Sequence, residues 1–355
     1  MLKHYVPANF YDRLKENPKL TGLQLYEEGL ASSPRSARRW KMYVEQDRAV
    51  RDAFRVHSVQ MLRWEEEKED NELSLEEIIR LSRQQVASKQ AHDPIFITDD
   101  LYFEDNVPIS VIFVSCAHLG GRFTAYEEFE RIFNQALGIP NLYWASLGDD
   151  IEGFLPQFPD NKSVIEQVWQ IDTQVELIQK VLTTLREAGK LLFGMGSQHG
   201  GKWLNKYHGD NPIKKAYLDL GVPFYDGIAY LKLHVGDQIY NVATAHDFPG
   251  DSIWNPLHRQ TRAFYMNFPN AHLVVGGDRH KFAWAEIPAS EWEAVVGNRS
   301  SNRVLLLQVG TAKTVPDIYT IQHWSTGLLG WPIVTFYPEK NKLNWTWDIN
   351  DIKGA

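Results

Sequence analysis

The stretch VPISVIFVSCAHLGG (residues 107–121) sets an apolar run against a pair of glycines. Residues 107–115 read as a buried strand, and the glycines let the chain turn as it leaves. Cys116 and His118 stand between the two. Cys116 is the only cysteine of the chain, which excludes an intrachain disulfide. Two readings are open for it: an inert thiol packed in a core, or a metal ligand at a strand end.

The same format recurs along the chain. NLYWASLGDD (141–150), LLFGMGSQHGG (191–201), IYNVATAHD (239–247) and AHLVVGGDRH (271–280) are apolar runs that end in glycine or in metal-competent side chains. EEFERIFNQAL (127–137) and SVIEQVWQIDTQVELIQKVLTTLREAG (163–189) carry helical spacing between them. This alternation indicates an α/β domain. VLLLQVG (304–310) and WPIVTFYPEKNKLNWTWDI (331–349) read as further strands, and the scarcity of helices there suggests antiparallel pairing. In open α/β sheets ligands bind beyond the carboxyl ends of the strands, so five polar strand ends would converge if they share a sheet edge. Their members are Cys116 and His118; Asp149, Asp150 and Glu152; Gln198 and His199; His246 and Asp247; Asp278 and His280. Imidazole, thiolate and carboxylate together suit Zn, Mn or Fe better than Mg.

In order and spacing these strand ends resemble the calcineurin-like metallophosphoesterases, whose motifs are D-x-H, G-D-x-x-D/E, G-N-H-D/E, an isolated H, and G-H-x-H. The matching segments are Cys116-Ala117-His118, Gly148-Asp149-Asp150-Ile151-Glu152, Ser197-Gln198-His199-Gly200, His246, and Gly277-Asp278-Arg279-His280, across roughly 110–285. The resemblance implies a two-sheet α/β sandwich flanked by helices. It implies two divalent metal ions, with Zn or Mn expected and Fe as a third choice. Cys116, His118, Asp149 and His280 would hold one; Asp149, Gln198, His246 and Asp278 would hold the other, and His199 would donate a proton. The activity implied is metal-dependent phosphoester hydrolysis, by a phosphodiesterase or nuclease. The chain departs from the pattern at Cys116 and Gln198, at Asp278, and at Gly200, which stand for an aspartate, an asparagine, a histidine and an acid. These departures set up the alternative, a catalytically silent module of the same fold with a DNA-binding or structural role.

The length of 355 residues allows this domain, expected over 107–350, and a helical region over 1–100. TGLQLYEEGL (21–30), a helix starting near Pro34, and LSLEEIIRLS (73–82), where Ser74 and Glu77 fit a capping box, make up that region. Residues 32–63 hold eight Arg or Lys against three acids, and residues 65–77 hold eight acids against one lysine. The short turn before Arg35, Arg38, Arg39 and Lys41 resembles a helix-turn-helix, so DNA contact stands beside a packing arm as a reading. The net charge of −8 argues against an overall basic nucleic-acid surface. Lys202, Trp203 and Lys206, with the segment 208–227, are expected at the rim of a substrate cleft, and Arg259 and Arg262 are candidate phosphate contacts. The twelve tryptophans are dispersed and read as packing residues. No run of 18 apolar residues and no secretory leader is evident, so no membrane contact and a cytoplasmic location are expected. The oligomeric state is not legible.

Overall fold

The computed structural model describes residues 13, 17, 20–29, 77, 79, 80, 82, 83, 96–103, 106–155, 161–202, 204, 205, 211–250, 252, 255–288, 303–314 and 330–352. The chain divides into two compact units, residues 1–99 and 100–355. In the first, helix α1 (Gly22–Glu27) falls where TGLQLYEEGL predicts one. Its start is held by a reciprocal cap: Gln24 N donates to Thr21 Oγ1 at 3.2 Å and Thr21 N donates to Gln24 Oε1 at 2.8 Å. Of the helix expected over 73–82, Glu77, Ile79, Arg80 and Ser82 are helical and exposed. The segment from Pro34, with Arg35, Arg38, Arg39 and Lys41, lies outside the described residues.

The second unit is built on two six-stranded mixed sheets. In one, β2 (Ile109–Val114), β3 (Leu142–Ser146), β4 (Leu191–Met195) and β5 (Phe224–Tyr225) run parallel. β11 (Ile333–Phe336) joins β2 antiparallel, and β12 (Leu343–Thr346) joins β11. The other has the order β1 (Phe96–Phe103), β6 (Ile228–Val235), β7 (Gln238–Ala245), β8 (Leu273–Gly276), β10 (Arg303–Gln308) and β9 (Ala283–Pro288). β7, β8 and β10 are parallel, while β6 and β9 run antiparallel to β7 and β10. Antiparallel pairing is found at β9–β10 and β11–β12, as the sequence suggests, while β10 also pairs parallel with β8.

Strand periodicity separates the layers. Ala243 and Ala245 of β7 pack with Phe264 of helix α5 (His258–Asn267) and with Phe268 just past its end. Thr244 between them points the other way, its Oγ1 donating to Met195 Sδ of β4 at 3.4 Å. On the other sheet Trp144 of β3 meets Phe129 and Phe133 of α2 (Tyr126–Gly138), with ring centroids 6.1 and 6.2 Å apart. α3 (Ile171–Glu187) buries Ile178, Val181, Leu182 and Leu185. α4 (Pro212–Asp219) is capped by Asn211, whose side chain accepts from Lys214 N. The result is sheet against sheet with helices outside. Each fully buried Leu or Phe contributes about 2 kcal/mol to holding these layers together.

Two sequence expectations change. The helix expected from 163 begins at Ile171, after a 3-10 turn at Asn161–Glu166. The intervening Gln167 uses its side chain to pair with both backbone groups of Phe154, at 2.9 Å each, so this segment serves the loop after β3 rather than a helix. Nor are all the tryptophans dispersed. Trp284 of β9, Trp345 of β12, Trp347 and Phe282 meet at one open edge between the sheets, with centroid distances of 4.8–6.0 Å.

Gly194 in β4 gives the packing a direct test. A Cβ there would fall 2.3 Å from Tyr217 Cζ, and Tyr217 is fully buried. Gly194→Ala should destabilise the fold by about 1–3 kcal/mol in urea denaturation, as overpacking does. In a Tyr217→Leu background the same change should cost less than half as much; equal costs in both backgrounds would refute this contact.

Candidate metal centre

The exits of β2 and β3 keep pairing after the strands end. Cys116 N donates to Gly148 O, His118 N to Asp149 O, and Leu119 N to Asp150 O, all at 2.9–3.0 Å. Side chains on these exits are then turned inward by a left-handed backbone. Among the described residues six non-glycines have positive φ: Cys116 (51°), His118 (48°), Asn141 (53°), Asp149 (53°), Asp278 (72°) and His280 (55°). Five of the six are strand-end donors. This region costs an L-residue about 1–2 kcal/mol, least for Asp, Asn and His, so its concentration here marks a built site.

The exits of both sheets supply the donors, so the convergence lies between two sheets rather than along the edge of one. Cys116, His118, Asp149, His199, His246 and His280 are all buried. Two donor groups emerge: Cys116 with His118 and His280, and Cys116 with Asp149 and His246, the ligand atoms of each within 4.8 Å of one another. Cys116 is the residue common to both. His118 Nε2 and His280 Nε2 face each other at 2.9 Å. His246 Nδ1 lies on Leu147 O at 2.7 Å, which turns Nε2 toward Asp149 Oδ2 at 3.2 Å and Asp278 Oδ1 at 3.8 Å. His199 sits above Asp149. Its N–H donates to Asp149 Oδ1 at 3.1 Å, its Nδ1 lies on Glu152 O at 2.6 Å, and its Nε2 is 3.9 Å from Asp149 Oδ2. Ser197 Oγ fixes Asp149 N from the same turn at 2.8 Å.

Gln198 begins the π-helical turn Gln198–Lys202 and is half-buried. Asp278 is partly held elsewhere: Arg259 Nη1 donates to its Oδ2 at 2.7 Å and also pairs with Asp247, while Arg259 Nε donates to Gly250 O. The guanidinium is thereby committed within the protein, and Arg262 is exposed on α5. Asp150 turns away from the donors and accepts from Ser146 Oγ at 2.5 Å. Trp203 and Lys206 lie outside the described residues.

Electrostatics follow from this packing. Burial, and then the Asp149 carboxylate, raise the Cys116 thiol well above its ordinary range. Burial and the Lys313 ammonium lower His118; burial and His118 hold His280 well below the usual imidazole range. Both are thus neutral imidazoles, the form that binds metal. Burial opposes charge on His246, but the Asp149 carboxylate outweighs it and lifts the group to about 9. Burial likewise opposes the Asp149 charge, yet His246 and His199 hold it well below the carboxylate range. Burial raises Asp150 to about 6 and raises Asp278 as well.

The residues fit metal ions. His246 Nε2, turned toward Asp149 and Asp278, is buried and makes no hydrogen bond, a cost that a ligand would remove. Thiolate, neutral imidazole and carboxylate are zinc-type donors, so Cys116 would give up its proton on binding an ion. Sequence reasoning placed Glu152 among the strand ends without a role, and missed Lys313, whose Nζ lies 2.9 Å from Glu152 Oε1. Only a lysine inside an otherwise small and apolar turn (VGTAKT, 309–314) could have signalled it.

The two-sheet sandwich with helices outside is the fold the sequence leads one to expect, and two donor groups fall at its strand ends. No protein-family profile and no curated protein matches the chain. Among solved structures, Vps29 of Entamoeba histolytica complexed with Zn+2 is 10% identical, over 67% of this chain and 98% of its own, with a TM-score of 0.32. A metallophosphoesterase from Sphaerobacter thermophilus is 14% identical over 69% and 92%, with a TM-score of 0.31. The calcineurin-like phosphoesterase YfkN from Bacillus subtilis is 11% identical over 68% and 89%, with a TM-score of 0.32. Overlaps this loose carry no functional argument, and the donor geometry carries it instead.

Arg259→Met should leave Asp278 and Asp247 without their cation. Stability should fall by about 3 kcal/mol, the low end for a broken buried pair because Asp247 is half-exposed. Chemical denaturation reads this directly, and an unchanged midpoint would remove the structural role given to Arg259.

Proposed function

We propose that the chain is a metal-dependent phosphoester hydrolase, a phosphodiesterase or nuclease working at a two-metal centre. The observation that carries this reading is the pair of buried donor groups joined at Cys116, with His199 beside them. Cys116, His118 and His280 would hold one ion. Cys116, Asp149 and His246 would hold the other, with Gln198 and Asp278 at its border. Ions bound there would supply Lewis acidity, neutralising charge on phosphoryl oxygens and lowering the pKa of bound water. Zinc is favoured by the thiol and imidazoles, manganese by the carboxylates.

The chain's own residues supply orientation and a proton. The Glu152 carbonyl anchors His199 at Nδ1, which directs Nε2 into the centre, where it could protonate a departing oxygen. Asp149 is fixed from both sides, by Ser197 at its N–H and by the His199 N–H at its carboxylate. Arg259 is not offered as a phosphate clamp, since its donors are directed at Asp247, Asp278 and Gly250.

A second reading rests on that same arginine. Arg259 occupies one Asp278 oxygen, and the raised His246 places another cation against Asp149. With Asp278 drawn toward Arg259, the second donor group would be one ligand short, and the chain would be a catalytically silent module of the same fold with a DNA-binding or structural role. The basic segment at Arg35, Arg38 and Arg39 would serve DNA under either reading. Replacing those three by Ala should weaken duplex binding and flatten its salt dependence while sparing a small diester substrate.

Metal analysis of the purified protein, with hydrolysis of bis-p-nitrophenyl phosphate across Zn, Mn and Fe, decides between the readings. Hydrolysis predicts about two bound ions and a diesterase activity. His199→Ala should keep the metal and lose about 10²–10⁴ in rate. Cys116→Ala should lose metal, whereas Cys116→Asp should retain it and shift preference toward manganese. Metal-loaded wild type that turns over no diester would favour the silent reading, and full metal content in Cys116→Ala would sink the ligand role of the thiol.

A further inference from the structure

Lys313 is a cation sealed inside the domain, and the metal-centre reading gives it no task. Its side chain is 4% exposed, and that of its partner Glu152 is 1% exposed. The pair is 2.9 Å apart, between Nζ and Oε1. The other carboxylate oxygen, Oε2, faces His118 Nδ1 at 3.3 Å, off the hydrogen-bond line. The far nitrogen of the same imidazole faces His280 at 2.9 Å. Ammonium, carboxylate and imidazole thus form a line that ends in the donor group. Gly121 makes room for it, because a Cβ there would fall 2.6 Å from Glu152 Oε2.

Backbone contacts hold the lysine in place. After β10 the chain passes directly over the exit of β2. Thr311 Oγ1 and Ala312 N both donate to Cys116 O, at 2.9 and 3.1 Å. Ala125 N donates to Ala312 O at 2.8 Å, and Lys313 pairs with Thr124 as an isolated antiparallel bridge. Thr124 in turn donates to His118 O at 2.5 Å. The segment that carries Lys313 is therefore tied to the backbone of both Cys116 and His118.

We propose that Lys313 is a positioning residue for the Cys116–His118–His280 group. Through Glu152 it sets which nitrogen of His118 carries the proton. Lys313 fixes the carboxylate with Oε2 toward Nδ1. An ionised carboxylate can only accept, so its negative charge 3.3 Å from Nδ1 favours the tautomer with hydrogen on Nδ1 and a lone pair on Nε2. That is the form an imidazole needs to bind a divalent cation, and outer partners of this kind tune metal affinity. The inference rests on the metal reading of the site.

Cobalt(II), whose bond to a thiolate is visible by absorption, is a suitable probe. Titration of the full chain should give a cobalt spectrum in wild type. Lys313→Met should lower the affinity by about 10- to 100-fold, the range for lost outer-shell partners. It should also destabilise the fold, since it strands the Glu152 carboxylate. The double variant Lys313→Met/Glu152→Gln separates the two effects. It removes both charges with little change of shape, so stability should recover while cobalt affinity stays low, because the Gln amide can donate as well as accept. Wild-type affinity in a folded Lys313→Met protein would overturn the proposal. So would a double variant that regains affinity together with stability, since Lys313 would then serve only to neutralise Glu152. A wild-type chain that binds no cobalt would overturn the metal reading itself, and the proposal with it.

Discussion

The hydrogen bonds that carry β2 and β3 past their own ends are the contacts on which the rest of the centre depends. A parallel pair normally separates when its strands stop. Here the Cys116–Gly148 and His118–Asp149 bonds keep the two exits side by side for one more turn. Each exit can then adopt a left-handed step without drifting away from its neighbour. The β10 exit closes over them at Cys116 O, and the β4 exit presses His199 and Ser197 onto Asp149. Four strand ends are thereby locked to one another by bonds that each use at least one main-chain group.

The buried charges follow the same arrangement. Glu152, Asp149 and Asp278 would each be costly to bury alone, and each has a cation or a histidine against it. Lys313 and His246 come from the exits of the second sheet, and the acids they meet, Glu152 and Asp149, come from the first, whereas Arg259 and its acids Asp247 and Asp278 all belong to the second. The centre is therefore also a seam between the two sheets. Its ion pairs hold the sandwich closed at the end where a ligand would enter, and the tyrosine and methionine contacts of β7 hold it elsewhere.

Much of this was legible in the sequence because the main strands are local patterns. β2, β3, β4, β7 and β8 are apolar runs that stop at glycine or a donor, and periodicity alone finds them. β1 was missed because FITDDLYF carries two aspartates mid-strand, one of them, Asp100, taken up by His234 of β6 at 2.6 Å. The delayed start of α3 was hidden for a similar reason: a glutamine side chain satisfies a backbone 13 residues away. The five strand ends were found as a set, whereas the division of labour among them was not. That Asp150 is spent on Ser146, and that Cys116 lies in both donor groups, depends on which way each side chain leaves the turn. Lys313 was not read as a site residue, and Arg259 was read as a phosphate contact although its partners are the protein's own acids. Lys313 meets an acid 161 positions away and Arg259 one 19 positions away, distances at which spacing carries no information.

The left-handed turns also restrict how this sequence can drift. Cys116, His118, Asp149, Asp278 and His280 sit where a β-branched or bulky side chain is penalised by the backbone before any chemistry is considered. The residues that tolerate such a position most easily are glycine, asparagine, aspartate and histidine, and the last three are also metal ligands or hydrogen-bonding groups. A chain of this fold with no ion to bind would still be steered toward the same few letters at these places. Ligand-like residues in the turns would then stand without an activity, and such a chain could keep the written appearance of an enzyme with no turnover.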